Sequence, residues 1–296
     1  MHAFTHLPHA SLTLFKSELV QVGITRCPAE HPDFSDPGPI QRHVIYMGGS
    51  AVQVERPGGQ AFLSGSATVS FHNQGECVKR NAARGAGDYS NWFVLAPELL
   101  FSTLAQLQPR SGLNESHPFQ MTTGPCSSAG YLRQKRLIQT LQAGVCREPL
   151  GAEEGVLLLY EEVLSAALRA GSPGQPTRSK TARRHRSLVE HTKLILSQNY
   201  RQNLKLATIA NSVGTSAFHL ARVFRAQTGW SLHAYRTQMR LNTALDAVWE
   251  GADDLTQLAL ELGFSSHSHF TSSFKNAFGS PPSKLRSTPR RPRAQF

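Results

Sequence analysis

The sequence predicts two domains of different class. The first is mainly β, a barrel or sandwich followed by two amphipathic helices. The second is all-α, with two helix-turn-helix units joined by a long helix. Three observations predict this. Between residues 40 and 95, short β-type segments alternate with glycine-bearing turns. From residue 128 the apolar period lengthens from two to between three and four. Residues 209–229 then recur, changed but in step, at 258–279. A chain of 296 residues has room for two cores.

The β segments are 43–47 (HVIYM), 51–56 (AVQVER), 60–64 (QAFLS), 68–73 (TVSFHN) and 91–96 (NWFVLA). Gly48-Gly49, Gly58-Gly59, Gly75 and Gly85/Gly87 separate them. Strands this short at this spacing fit a sandwich or small barrel. Residues 128–143 then set Leu132, Arg136, Ile138 and Leu141 on a helical rhythm. Residues 152–170 set Val156, Leu157, Tyr160, Val163, Leu164 and Ala167 on one stripe. Two such helices can pack on their own sheet or pair with a second copy, and the balance favours a role in dimerisation.

Residues 171–186 (GSPGQPTRSKTARRHR) pass from Gly, Pro and Ser into a basic run without an apolar anchor. This reads as an exposed linker, its basic run equally compatible with a solvated tether and a phosphate contact. The expected division is therefore 1–170, a basic linker at 171–186, a helical domain at 187–288 and a disordered basic tail at 289–296.

Charge follows the same division. Residues 1–171 carry 13 Lys+Arg against 14 Asp+Glu, and residues 172–296 carry 18 against 6. The whole excess of +11 thus belongs to the C-terminal part, which suggests a nucleic acid or another acidic partner for that half alone. No run approaches the roughly 20 apolar residues of a membrane span. The N-terminus (MHAFTHLPHASLTLFK) lacks the basic region and cleavage site of a secretory signal, so a cytoplasmic location is expected. Cys27, Cys77, Cys126 and Cys146 are too far apart for a zinc site or disulfide scaffold and read as reduced, mostly buried thiols.

The repeat aligns Ile209 with Leu258, Ala210 with Ala259, Val213 with Leu262 and Gly214 with Gly263, an offset of 49. After the turn the offset is 50: Leu220 with Phe270, Phe224 with Phe274, Gly229 with Gly279, and beyond the helices Arg236 with Arg286. Each copy has a small residue where helices cross, a Gly for a left-handed turn, and a Ser as N-cap: Ser216, and Ser265 or Ser266. A terminal Gly closes each second helix. The connector begins at Ser231, with Leu232, Tyr235, Met239, Ala244, Leu245 and Val248 as its apolar positions.

These motifs, with 235–245 (YRTQMRLNTAL) and 255–286 (LTQLALELGFSSHSHFTSSFKNAFGSPPSKLR), resemble the AraC/XylS family of bacterial transcription regulators over about residues 188–286. The resemblance implies two helix-turn-helix units entering successive major grooves on one face of DNA. It implies a cupin-like N-terminal domain for effector binding and dimerisation. It also implies RNA polymerase as a partner and activation as the mode of action. Ser272 stands where the family often has Arg, Leu285 where it often has Tyr, and Leu232 where it often has Pro.

At 100° per residue, Leu220, Val223 and Phe224 point to the core of the first unit, leaving Phe218, Ala221, Arg222 and Arg225 facing outward. Arg222 is the base-reading candidate, because a guanidinium bonds guanine bidentately. In the second unit Phe270, Phe274 and Phe278 form the core stripe, leaving Ser268, Thr271, Ser272 and Lys275 outside. His267, at the helix start, is also placed at DNA, and Lys275 suits phosphate. His267 and His269 lie about 200° apart on a helix and cannot share one ion.

Competing classes are an architectural DNA-binding protein without an effector and a cupin-type metalloenzyme fused to a DNA-binding domain. Against an enzyme, His72 has only Glu76 nearby, and the sequence has no nucleophile elbow, P-loop or dinucleotide fingerprint. No cofactor or metal is expected. A homodimer and an unidentified small-molecule effector complete the expected partners.

Overall fold

The computed structural model describes residues 11–83, 87–108, 114–144, 149–170 and 180–286. The predicted N-terminal segment before Ser11, the first nine linker residues, Cys146 and the basic tail lie outside these residues.

The N-terminal domain runs β1 (Ser11–Lys16), β2 (Val20–Cys27), α1 (Pro32–Ser35), β3 (Val44–Met47), β4 (Val52–Glu55), β5 (Phe62–Ser64), β6 (Thr68–His72), β7 (Lys79–Ala82), β8 (Asp88–Leu95), α2 (Pro97–Leu107), β9 (Thr123–Pro125), α3 (Ser128–Gln142) and α4 (Pro149–Arg169). A six-stranded sheet has the order β1-β2-β8-β3-β6-β9, and a three-stranded sheet the order β5-β4-β7. The assigned pairings are antiparallel, and β2 and β8 pair along their full lengths from Val20 opposite Leu95 to Cys27 opposite Asp88. The two sheets face each other across a small cavity lined by Val52, Val54 and Ser64 from one and Tyr46, Ser70 and His72 from the other.

The apolar stripe of α4 closes on its own domain. Val156, Leu159, Tyr160, Leu164 and Ala167 are fully buried, and the Tyr160 hydroxyl donates to the Phe93 carbonyl of β8 at 2.7 Å. Leu157 is half-buried. Of the two packings the sequence allows, the stripe itself takes the first, on its own sheet, which removes it from water.

The C-terminal domain comprises α5 (Lys180–Asn199), α6 (Leu206–Ser212), α7 (Ala217–Thr228), α8 (Leu232–Trp249), α9 (Leu255–Glu261), α10 (His267–Phe278) and α11 (Pro282–Leu285). The predicted linker differs here, since residues 180–186 form the first two turns of α5. Two long-range contacts hold these turns. The Gln60 amide donates to the Arg183 carbonyl at 3.1 Å, and the His185 ring meets the His219 ring edge-on at 5.3 Å.

Helix α8 is the axis of the molecule. Its apolar positions Leu232, Tyr235, Met239, Ala244, Leu245 and Val248 are all buried, as predicted. So are Gln238 and Asn242, and the N-terminal domain satisfies them. The Ser128 hydroxyl donates to Gln238 at 2.8 Å, Gln238 to Asn242 at 2.7 Å, and Asn242 to the Ser66 carbonyl at 2.7 Å. The hydroxyls of Tyr235 and Thr68 lie 3.2 Å apart. Asp246 accepts from the Tyr131 hydroxyl at 2.8 Å and pairs with the Lys135 ammonium at 2.7 Å. Residues 235, 238, 242 and 246 share one face of a helix, so the N-terminal domain grips the spacer between the two units along a single polar seam.

Candidate nucleic-acid interface

The two helix-turn-helix units are built by the same local bonds. In the first, Ser216 caps α7 by accepting from the His219 amide at 3.2 Å. In the second, Ser266 caps α10 by accepting from the His269 amide at 3.1 Å. The turn between helices is closed by Thr215 N–H to the Ala210 carbonyl in one and Phe264 N–H to the Ala259 carbonyl in the other, both at 3.0 Å. Gly214 and Gly263 sit at φ of 67° and 80°, the left-handed conformation that side chains resist. Gly229 and Gly279 end the second helices at φ of 75° each.

Apolar burial sets the rotation of each second helix. Leu220, Val223 and Phe224 fix α7. In α10 an aromatic ladder does so, with ring centroids of Phe270 and Phe274 5.6 Å apart and of Phe274 and Phe278 4.7 Å apart. What remains outside is polar apart from Phe218 and the edge of Ala221. On α7, Phe218 is 80% exposed, and Arg222 and Arg225 are exposed. Ala221 is half-buried against the core of its unit, so it offers an edge rather than a face. On α10, His267, Ser268, Ser272 and Lys275 are exposed, while Thr271 is half-buried with its hydroxyl 3.3 Å from His267 Nε2. His267 and His269 diverge: His267 Nδ1 lies 3.4 Å from the Thr256 hydroxyl, and His269 lies edge-on to Phe264 with Nδ1 3.0 Å from the Ser265 hydroxyl.

The arginine that couples the two units was not legible in the sequence. Arg240, buried in α8, donates to the carbonyls of Tyr200 at 2.6 Å, Gln202 at 3.1 Å and Gly263 at 2.7 Å, and to Asn203 Oδ1 at 3.1 Å. It ties the loop ahead of the first unit to the turn of the second. Burial, and then the neighbouring charge of Arg236, lower its pKa to about 10. A hint was available: an arginine at the centre of a helix flanked by buried apolar neighbours must find acceptors.

In the N-terminal domain, the cavity of about 60 Å³ between the sheets is lined by a strongly perturbed group, His72. His72 is fully buried, and burial, with Arg56 and Arg80 adding to it, lowers its pKa to about 3. Its Nδ1 lies 3.8 Å from Glu76, whose carboxylate pairs with Arg56 at 2.8 Å. The Arg80 guanidinium pairs with Asp88 at 2.6 Å. Among the described residues no three His, Cys, Asp or Glu side chains cluster as metal ligands, and no helix is long and apolar enough to cross a membrane.

A family model described as a helix-turn-helix domain matches residues 209–288. The chain is 38% identical over 85 residues to Probable transcription factor PqrA of Proteus vulgaris, covering 29% of this chain and 70% of that protein. The chain belongs to the AraC/XylS family of bacterial transcription regulators. Multiple antibiotic resistance protein MarA of Escherichia coli is 32% identical over 93 residues, covering 31% of this chain and 73% of MarA. HTH-type transcriptional regulator ArgR of Pseudomonas aeruginosa is 29% identical over 124 residues, and the match spans only 37% of its length. A crystal structure of an AraC-type regulator from Chromobacterium violaceum is 28% identical over 36% of this chain and 96% of its own, with a TM-score of 0.34. ToxT of Vibrio cholerae is 11% identical over 91% of this chain, with a TM-score of 0.36. As a family member the chain is a DNA-binding transcription regulator, and its repeated units are the AraC-type DNA-binding domain.

Proposed function

We propose that this regulator activates transcription from specific operators, with α7 and α10 in successive major grooves and the N-terminal domain answering to a small molecule. The observation that carries the reading is the pair of capped, exposed helix faces borne by one rigid spacer, α8. Phe218, Ala221, Arg222 and Arg225 form the first reading head, and Arg222 is its base reader. His267, Ser268, Thr271, Ser272 and Lys275 form the second, gentler one, with Lys275 on a phosphate. The polar seam on α8 supports the regulatory part. A ligand that reshapes the N-terminal domain would shift Ser66, Thr68, Ser128 or Tyr131, and with them the helix that spaces the two heads. The cavity around His72 is the candidate effector site. RNA polymerase is the partner that activation requires, and a homodimer would double the contact with an operator. No catalytic role is assigned to any residue.

The test is footprinting on a duplex enriched from a random pool by the full chain. Two protected patches on one face of the duplex, about 10 base pairs apart, are expected. A single patch, or protection without a preferred position, would refute two-groove reading.

A further inference from the structure

The basic run at the start of α5 lies outside both reading heads. Its surroundings give it a role. A cleft of about 460 Å³ opens between the first two turns of α5 and the turn of the first helix-turn-helix unit. Arg183, Arg184, His185, His191, Thr215 and His219 are among its lining residues, and among the described residues no carboxylate lines it. Arg183 and Arg184 are exposed. These turns are fixed in place, by Gln60 on the Arg183 carbonyl and by His185 packed on His219. A tether would have neither contact.

The location decides what the cleft could hold. His219 belongs to the first turn of α7, three residues before Arg222 and beside the Ser216 cap. Helix-turn-helix proteins place that N-terminal end of the recognition helix in the major groove. A groove is walled by phosphates, so a cationic cleft beside this end faces a strand of the backbone. Arginine suits that partner, because its planar fork matches two phosphate oxygens.

We infer that Arg183 and Arg184 clamp the DNA backbone next to the groove read by α7, so that the positively charged start of α5 is a third, sequence-independent part of the DNA interface. This rests on the family's DNA binding and extends it to residues outside both helix-turn-helix units. The clamp adds affinity and salt dependence, not sequence preference.

The experiment compares the full chain with Arg183→Gln/Arg184→Gln, Arg183→Lys/Arg184→Lys and Arg136→Gln, an exposed arginine of α3 that serves as control. Binding to the enriched duplex and to a random duplex is measured across a potassium chloride series. The Gln pair is expected to flatten the slope of log K against log salt by about 1.8, since each lost phosphate contact removes about 0.9. Both duplexes should weaken by the same factor, with an unchanged melting temperature. The Lys pair should keep the slope, and Arg136→Gln should not alter it. An unchanged slope for the Gln pair would overturn the clamp, and so would an equal flattening by Arg136→Gln. Weakening confined to the enriched duplex would make these arginines base readers and would also overturn it. If the unsubstituted chain itself bound both duplexes equally, sequence-specific reading would fail instead, while the slope would still decide the clamp.

Discussion

The Arg286 guanidinium donates to the carbonyl of Asp253 at 2.8 Å. Fifty residues earlier, Arg236 donates to the carbonyl of Leu204 at 3.2 Å, and Leu204 lies 49 residues before Asp253. Each arginine thus reaches back from the end of its unit to the residue two places ahead of that unit's first helix. The duplication visible in the sequence is therefore a duplication of hydrogen bonds as well as of apolar spacing. Arg236→Met and Arg286→Met should each lower stability by about 1 kcal/mol, the usual net value of such a bond. Urea unfolding of each variant checks this, and the two losses should add, since the sites share no partner.

Arg240 and Gly263 form a tighter joint. Replacing Arg240 with Met removes a charged donor from three carbonyls and one amide oxygen, and a loss of about 3 kcal/mol is expected. Gly263→Ala should be costlier than Gly214→Ala. Both sites carry positive φ, which costs a side chain roughly 1–2 kcal/mol. At Gly263 an added Cβ would also collide with the Arg201 carbonyl oxygen, whereas at Gly214 it meets open space. Thermal unfolding of the two alanine variants decides the order.

Base reading and phosphate contact separate cleanly. Arg222→Ala should cost about 1–3 kcal/mol on the enriched duplex and much less on random DNA. Lys275→Ala should weaken both alike and lower the salt slope by about 0.9. A uniform loss for Arg222→Ala would reassign it to phosphate, and an unchanged slope for Lys275→Ala would remove it from the interface.

His72 makes the N-terminal domain acid-sensitive. Its folded pKa, about 3, lies below the ordinary histidine value of 6.5. Between those values the unfolded chain binds the proton and the folded chain does not, so this contribution is complete above pH 6.5 and falls as pH drops toward 3. The slope from this one group approaches about 1.4 kcal/mol per pH unit. Arg56, Arg80 and the Glu76 carboxylate face the ring, and the two arginines add to the effect of burial. Urea midpoints at pH 7.5 and pH 5 should differ less for His72→Phe than for the unsubstituted chain. Equal differences would contradict a neutral His72.

The helix-turn-helix units were legible because their determinants are local: Ser216 and Ser266 before each second helix, glycine at each turn and end, and apolar residues every three or four. Long-range pairing was not. β7 (KRNA) has no apolar alternation, β9 (TGP) consists largely of residues that strands disfavour, and both are held by partners distant in sequence. The helical start of α5 escaped for the same reason, since it is fixed by Gln60 and His219. So did the seam on α8, where Asn242 meets Ser66 across 176 residues. The outward position of Phe218, Arg222, Arg225, Ser268, Ser272 and Lys275 followed from helical geometry alone. The half-burial of Ala221 and Thr271 depends on neighbours that geometry does not name.

The most direct measurement is the ratio of affinities for the enriched duplex and a scrambled duplex of equal length, at roughly physiological salt. A regulator that reads bases through α7 and α10 should show a ratio of about 10³ or more. Equal affinity for the two duplexes would contradict it.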